Sequence, residues 1–149
     1  MKRSQRLEVV LKLYQRREDE ISGEVQTAQV HLQTQESQLE QLVAYQRSYQ
    51  DATGADSNGG QSMSIAQWRR LQDYIDQLSG IIAQQEQQVG LAKADLERVE
   101  EKWRQAHLER RSMESAIERI AREEQVQESR LEQKALDEMI QQMRGRHRQ

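Results

Sequence analysis

The feature that most constrains this chain is a row of apolar residues that recurs alternately every three and every four positions. It runs from Trp68 to Ile120, and fourteen of its sixteen positions are apolar. A repeat that averages 3.5 residues, slightly shorter than the helical 3.6, is typical of a coiled-coil helix that turns one face toward a partner. The positions are Trp68, Leu71, Ile75, Leu78, Ile82, Gln85, Val89, Ala92, Leu96, Val99, Trp103, Ala106, Arg110, Met113, Ile117 and Ile120.

The first part of the chain carries a matching row. From Leu7 to Tyr49 the same step visits thirteen positions, of which ten are apolar and three are Glu18, Gln35 and Gln46. Polar residues in such a row cost stability but help to fix the register of the two helices. We call the two rows together the seam. The chain is therefore expected to supply its own partner helix.

A turn is expected between the rows, where glycines alternate with Asp, Asn and Ser over residues 51–63. Ser62 or Ser64 is expected to cap the following helix. Proline is absent, which permits long helices. The sequence predicts an all-α fold in which two long helices form an antiparallel coiled-coil hairpin. Its expected organisation is a single elongated domain, 1–149, with helix 1 at about 4–50, the turn at 51–63 and helix 2 at about 64–144.

Helix 2 is expected to overhang helix 1. With the turn centred near residue 57, Leu7 would lie opposite a residue near 108, and Arg110 would stand where helix 1 runs out. The overhang would then measure roughly 50 Å at 1.5 Å per residue. It is rich in apolar residues, although the row loses its phase after Ile120, where Glu124 falls on a seam position. Such an end is either frayed or self-associating, or it docks onto another protein.

Three apolar residues widen the seam near the turn. Tyr45, Tyr74 and Ile81 lie beside seam positions. They either shield the seam or form a binding surface, since an exposed tyrosine combines apolar area with a hydrogen-bonding tip.

No pattern in the sequence supports catalysis. Cysteine is absent, no phosphate-binding loop or GxSxG or HExxH motif occurs, and His31, His107 and His147 are far apart. We expect no enzymatic activity, no cofactor and no metal. The net charge of −3 disfavours nucleic acid as a partner. The basic C-terminal residues complement the helix dipole or meet an anionic partner surface. No signal peptide or membrane-spanning run is found, so a soluble cytoplasmic protein is expected.

Several stretches are distinctive beyond the repeat, and they are residues 38–49, the Gly/Asn turn, Trp68 with residues 74–78, Trp103-Arg104, and residues 133–138. Together these stretches resemble the flagellar export protein family FliJ. The paired tyrosines, the turn and the tryptophan spacing make this resemblance more specific than the 3.5-residue repeat.

The resemblance implies a stalk-like component of flagellar type III export, involved in flagellum biogenesis and motility, that performs no chemistry. The implied partners are the hexameric flagellar export ATPase, whose activity it would regulate, the cytoplasmic domain of the membrane export gate, and export chaperones. The implied location is the cytoplasm, peripheral to the inner membrane at the flagellar base, without membrane insertion. The equivalent stalk of a virulence type III system and a passive dimerising scaffold are the alternatives.

The resemblance also implies two sets of contact residues. The gate-binding set is Gln38, Leu42, Tyr45 and Tyr49 on helix 1 with Tyr74, Leu78, Ile81 and Gln85 on helix 2. The stalk analogy assigns the opposite end to the ATPase ring, through Leu7, Leu11, Met113, Ile117, Ile120, Leu131, Leu136, Met139 and Ile140.

Overall fold

The chain, for which we use a computed structural model, is described over residues 1–57 and 63–147. These residues form two α-helices, α1 (Arg3–Ser57) and α2 (Ile65–His147). The helices pack against each other as a helical hairpin, which confirms the predicted fold class. Residues 58–62 of the predicted turn, among them the capping candidate Ser62, lie outside the described residues.

The first helix continues past its expected end near residue 50. Thr53 stands one step of the 3–4 repeat beyond Tyr49, and it is buried. Its hydroxyl donates a hydrogen bond of 2.7 Å to the carbonyl of Gln50. The 3–4 repeat of buried positions therefore continues to Thr53. Burial of this residue stabilises helix at the point where a turn was expected, from residue 51 onward.

Ser64 caps the second helix, as one of the two expected candidates. The backbone N–H of Gln67 donates to the Ser64 hydroxyl at 3.1 Å, and the N–H of Ser64 donates to the Gln67 side-chain oxygen at 3.2 Å. This reciprocal pair is a capping box, which satisfies two backbone donors that a helix start leaves unpaired. It fixes the start of α2 at Ile65.

The predicted seam is the buried surface of both helices. In α1, every seam position from Leu7 to Tyr49 is buried or half-buried. In α2, the same holds from Leu71 to Ile120, while Trp68, in the first turn of the helix, is exposed. The seam therefore begins one step later in α2 than the sequence predicts.

The register between the helices differs from the expected one. Leu7 was expected opposite a residue near 108, but Glu18 already pairs with Arg110, and Ser4 pairs with Glu124. The reason is the longer α1, which moves the turn toward the C-terminus so that each residue of α1 meets a later residue of α2. Arg110 therefore lies inside the paired region and not at its end.

Contacts divide the chain into two units, of which Ile21–Trp103 is one. Its core is a ladder of aliphatic residues from both helices, with a polar layer at Gln46 and another at Gln85. The buried apolar residues are Ile21, Ala28, Ile75, Leu78, Ile82, Val89, Ala92 and Val99.

The other unit comprises Met1–Glu20 and Arg104–Gln149. Its buried residues are Ser4, Ala106, Ile117 and Ile120. After Glu128, which pairs with Lys2, no described residue of α2 forms a hydrogen bond or ion pair with α1, and residues 129–147 are all exposed. The overhang is thus confirmed, but at 1.5 Å per residue it measures about 28 Å instead of the expected 50 Å. That the whole chain forms one elongated domain stays a prediction.

Candidate functional site

The eight residues expected to bind the export gate lie on one side of the unit formed by Ile21–Trp103. The rings of Tyr49 and Tyr74 meet edge to face, with centroids 4.9 Å apart and an interplanar angle of 73°. At the other end of the set, the Gln85 amide lies 3.4 Å from the Gln38 side-chain oxygen. Each contact joins a seam residue of one helix to a flanking residue of the other. The rows from α1 and α2 therefore form a single surface, which we call the tyrosine face.

The tyrosine face exposes its flanking residues and buries its seam residues. Tyr45 is 62% exposed, Tyr74 45% and Ile81 46%, whereas Leu78 is buried and Leu42 half-buried. Burial of the leucines holds the face in place, and the exposed side chains carry apolar area in water. Exposed aromatic and aliphatic groups gathered on one side are typical of protein-binding surfaces.

Gln85 has a different environment from its neighbours on this face. Its amide donates to the backbone carbonyl of Gln35 at 2.9 Å and to the Gln35 side-chain oxygen at 2.8 Å. A second polar layer lies nearer the turn, where the Gln46 amide donates to the Ile75 carbonyl at 3.1 Å and to the Ser79 hydroxyl at 2.6 Å. Both amides are used within the hairpin. They fix how α1 and α2 align beneath the exposed residues.

A shallow groove continues the tyrosine face toward the turn. Its apolar walls are formed by Tyr49, Tyr74, Leu71 and Met63, and Arg70 is the one charged residue among the described residues that line it. Sequence reasoning did not identify this groove. Met63 and Arg70 lie off the 3–4 repeat, so periodicity gives no signal for them.

The residues expected to bind the ATPase ring fall into two groups in the other unit. Those in the paired region contribute to the hairpin core: Ile117 and Ile120 are buried, and Leu7, Leu11 and Met113 are half-buried. Those in the overhang are exposed, and they are Leu131, Leu136, Met139 and Ile140. Only the second group offers its side chains to a partner without opening the hairpin.

A charged cluster crosses the seam in this unit. Glu18, whose side chain is 14% exposed, pairs with Arg110 and lies 3.0 Å from His107 Nδ1. Arg110 also donates to Glu114 at 2.8 Å. Burial opposes the ionisation of Glu18, but the hydrogen bonds and electrostatic attraction from His107 and Arg110 outweigh it and hold the pKa of Glu18 below its usual value. The pKa of Arg110 is raised, and the largest cause is its hydrogen bond to Glu18.

The paired region ends at a second polar contact. Glu124 accepts hydrogen bonds from the Ser4 hydroxyl at 2.6 Å and the Ser4 backbone N–H at 3.0 Å. Ser4 lies in the first turn of α1, where a carboxylate satisfies an unpaired N–H and interacts favourably with the helix dipole. These bonds hold the pKa of Glu124 below its usual value. The 3.5-residue repeat does not explain a carboxylate at the seam position of Glu124. The structure gives this carboxylate a defined partner in Ser4.

Within residues 1–57 and 63–147, neither helix contains a stretch long and apolar enough to cross a membrane. A comparison with curated proteins and one with solved structures gave no match.

A comparison with protein-family models gave a match to the flagellar FliJ protein over residues 2–149. A two-helix hairpin with a coiled-coil seam agrees with it. Since the match covers essentially the whole chain, the protein belongs to the flagellar FliJ family, whose members are non-catalytic components associated with flagellar type III export.

Proposed function

We propose that this protein is a non-enzymatic stalk that couples the hexameric flagellar export ATPase to the export gate. It binds the ATPase ring at one site and the cytoplasmic domain of the membrane gate at another, and it assists chaperone-linked export. It acts in the cytoplasm, peripheral to the inner membrane at the flagellar base, and needs no cofactor. The observation that carries the proposal is a tyrosine face with three exposed apolar side chains in a member of the FliJ family.

The tyrosine face is the proposed site for the gate. Tyr45, Tyr74 and Ile81 supply the contact area, while Leu42 and Leu78 anchor the face from the seam. Aromatic residues contribute strongly to binding because they bury a large area at a small cost in side-chain entropy. Gln85 is engaged with Gln35, so it positions the face and contacts the gate only at its edge.

The overhang is the proposed site for the ATPase ring. Leu131, Leu136, Met139 and Ile140 are exposed on several sides of a helix that has no partner in the described part of the chain. A single helix entering a ring contacts it all round, so residues on opposite sides of the helix take part. A sixfold ring and a single asymmetric helix cannot match at every subunit, which favours modest affinity.

ATP hydrolysis by the purified flagellar export ATPase tests the ring site. The full-length chain is expected to raise the hydrolysis rate, and a chain ending at Ser129 is expected to lose most of this effect. Ending at Ser129 retains Glu124 and Glu128, which bond with Ser4 and Lys2, so the hairpin keeps its contacts. Leu91→Asp is a matched control, because Leu91 is an exposed apolar residue of α2 outside both proposed sites. Equal stimulation by the full-length and shortened chains would move the ring site elsewhere.

Binding to the purified cytoplasmic domain of the gate tests the tyrosine face. Tyr45→Ala and Ile81→Asp are each expected to weaken binding by roughly tenfold or more, as expected for residues at the centre of an interface. Leu91→Asp is again the control, and it is expected to bind like the unchanged chain. Stimulation of the ATPase without any gate binding would reduce the proposal to a regulator of the ring. Dimerisation without either activity would favour the passive scaffold.

A further inference from the structure

The overhang carries an apolar face of its own. Leu136, Met139, Ile140 and Met143 follow one another at spacings of three, one and three residues, so at about 100° per residue they occupy one side of the helix. Each is between 40% and 56% exposed. Leu131, also exposed, points about 140° away from Leu136 by the same rotation. We call the four residues the terminal face.

The charges around the terminal face are separated along the helix. Glu128 and Glu132 precede it and lie on its side of the helix, whereas Arg130 and Lys134, which also precede it, lie toward the opposite side at about 100° per residue. After Met139 the charged residues are all basic. Arg144, Arg146 and His147 form the basic last turn of α2. Among the described residues, neither Glu132 nor these arginines form an ion pair within the chain. On the side of the terminal face, the segment therefore has an acidic and a basic end.

We propose that the terminal face binds the same face of a second copy of this chain in antiparallel orientation. Around a two-fold axis near Ile140, the two Ile140 side chains meet, and Leu136 of each copy meets Met143 of the other. The basic last turn of each copy then lies beside the partner's Glu132. A parallel pair would instead place the two basic ends against each other. The charge separation thus selects the antiparallel pair, which is self-complementary as two-fold symmetry requires.

The association is weak and reversible. Only about two helical turns of apolar contact are available on each copy, far less than a stable dimer buries. Charge attraction at exposed side chains adds little and is screened by salt. A dissociation constant on the order of 10–100 μM is expected. Since the paired copies cover Leu136 and Ile140, self-association and entry into a ring are mutually exclusive. The dimer would withhold this face until a ring is present.

Sedimentation velocity of the full-length chain, alone, at low and high micromolar concentration tests the association. The weight-average sedimentation coefficient is expected to rise with concentration and to rise less at high salt. Ile140→Asp should abolish the rise, because it places a charge at the two-fold axis. Leu131→Asp is the matched control, with the same kind of change on the opposite side of the same helix, and should leave the rise unchanged. A rise that persists in Ile140→Asp, or no rise in the unchanged chain, overturns the proposal.

Cysteine cross-linking tests the orientation, and the chain has no native cysteine to interfere. Ile140→Cys is expected to form a disulfide-linked dimer on oxidation, because this position lies at the two-fold axis. Glu132→Cys and His147→Cys are expected to cross-link poorly alone and well when the two variants are mixed. Efficient linkage of each terminal variant with itself indicates a parallel pair and overturns the antiparallel arrangement.

The two proposals fail separately. The dimer is measured without the ATPase, so the absence of ring stimulation leaves it untouched. Leu131→Asp separates them further, because it should weaken ring stimulation, where contacts surround the helix, and leave the dimer intact.

Discussion

Two consecutive stretches of α2 within one unit have similar apolar content and opposite environments. Between Ala106 and Glu124 the apolar residues of the seam are buried or half-buried, whereas from Ser129 to His147 all apolar residues are exposed. Ile117 is 7% exposed and Ile140 is 40% exposed, although both lie in the same helix. The difference shows that helix formation here depends on local sequence, while burial depends on whether α1 supplies a partner.

The polar residues of the two stretches also differ in whether α1 supplies a partner. In the paired stretch, Arg110 bonds with Glu18, and Glu124 bonds with Ser4, so each polar seam residue meets a complement from α1. In the overhang, the described contact is a hydrogen bond within the helix, from Gln133 to Asp137 at 3.3 Å. The paired stretch is therefore specified by complementary residues in both helices, and the overhang is left available for another molecule.

The largest expected difference between the stretches is in the cost of shortening an isoleucine. Ile117→Ala removes buried side-chain atoms and leaves a cavity, and the expected loss in the free energy of unfolding is about 2–4 kcal/mol. Ile140→Ala removes atoms that already contact water and is expected to change it by less than about 0.5 kcal/mol. Urea denaturation followed by circular dichroism measures both. Equal losses would mean that the overhang is packed in solution.

Sequence periodicity predicted the hairpin because each seam position reports directly on burial. All thirteen seam positions of α1 are at least half-buried, including polar Glu18, Gln35 and Gln46. Periodicity could not predict the register, because sliding one helix along the other by one step of the 3–4 repeat still places apolar residues opposite apolar residues. The prediction that α1 ends near residue 50 did not take the buried Thr53 into account. The predicted turn was therefore too early, and Arg110 was not placed opposite its partner Glu18. Matching charges across the seam would have been the stronger signal for the register.

The tyrosine face was predictable for a related reason. Tyr45 and Tyr74 precede seam residues in their own helices, and in an antiparallel pair such positions fall on the same side. The contact between Tyr49 and Tyr74 agrees with this arrangement. The engagement of Gln85 with Gln35 was not predictable, because amide hydrogen bonds depend on side-chain geometry that residue spacing does not encode.

A smaller effect is expected from the charged cluster of the paired stretch. Glu18→Gln keeps the size of the side chain and removes its charge, which weakens the bonds to Arg110 and His107. At neutral pH the expected loss in the free energy of unfolding is about 1 kcal/mol.

The same variant predicts a dependence on pH. The pKa of Glu18 is lowered in the folded chain, so the unfolded chain takes up a proton first as the pH falls. The stabilisation is complete above the unfolded value, about 4.3, and is lost as the pH falls through the folded value. The difference in urea midpoint between the unchanged chain and Glu18→Gln should therefore be larger at about pH 5.5 than at about pH 3. A gap that stays constant would show that the charge of Glu18 contributes nothing.

The smallest expected effect lies at the border between the two stretches. Ser4→Ala removes the hydroxyl that donates to Glu124 but keeps the backbone N–H that donates to the same carboxylate. The urea midpoint should therefore hardly change, while amide hydrogen exchange should accelerate in the first turn of α1 and near Glu124. Local opening at a helix end does not require the core at Ile117 to open. Faster exchange that spreads to Ile117 would instead make Ser4 part of the cooperative core, and the border between paired and free helix would lie further toward the turn.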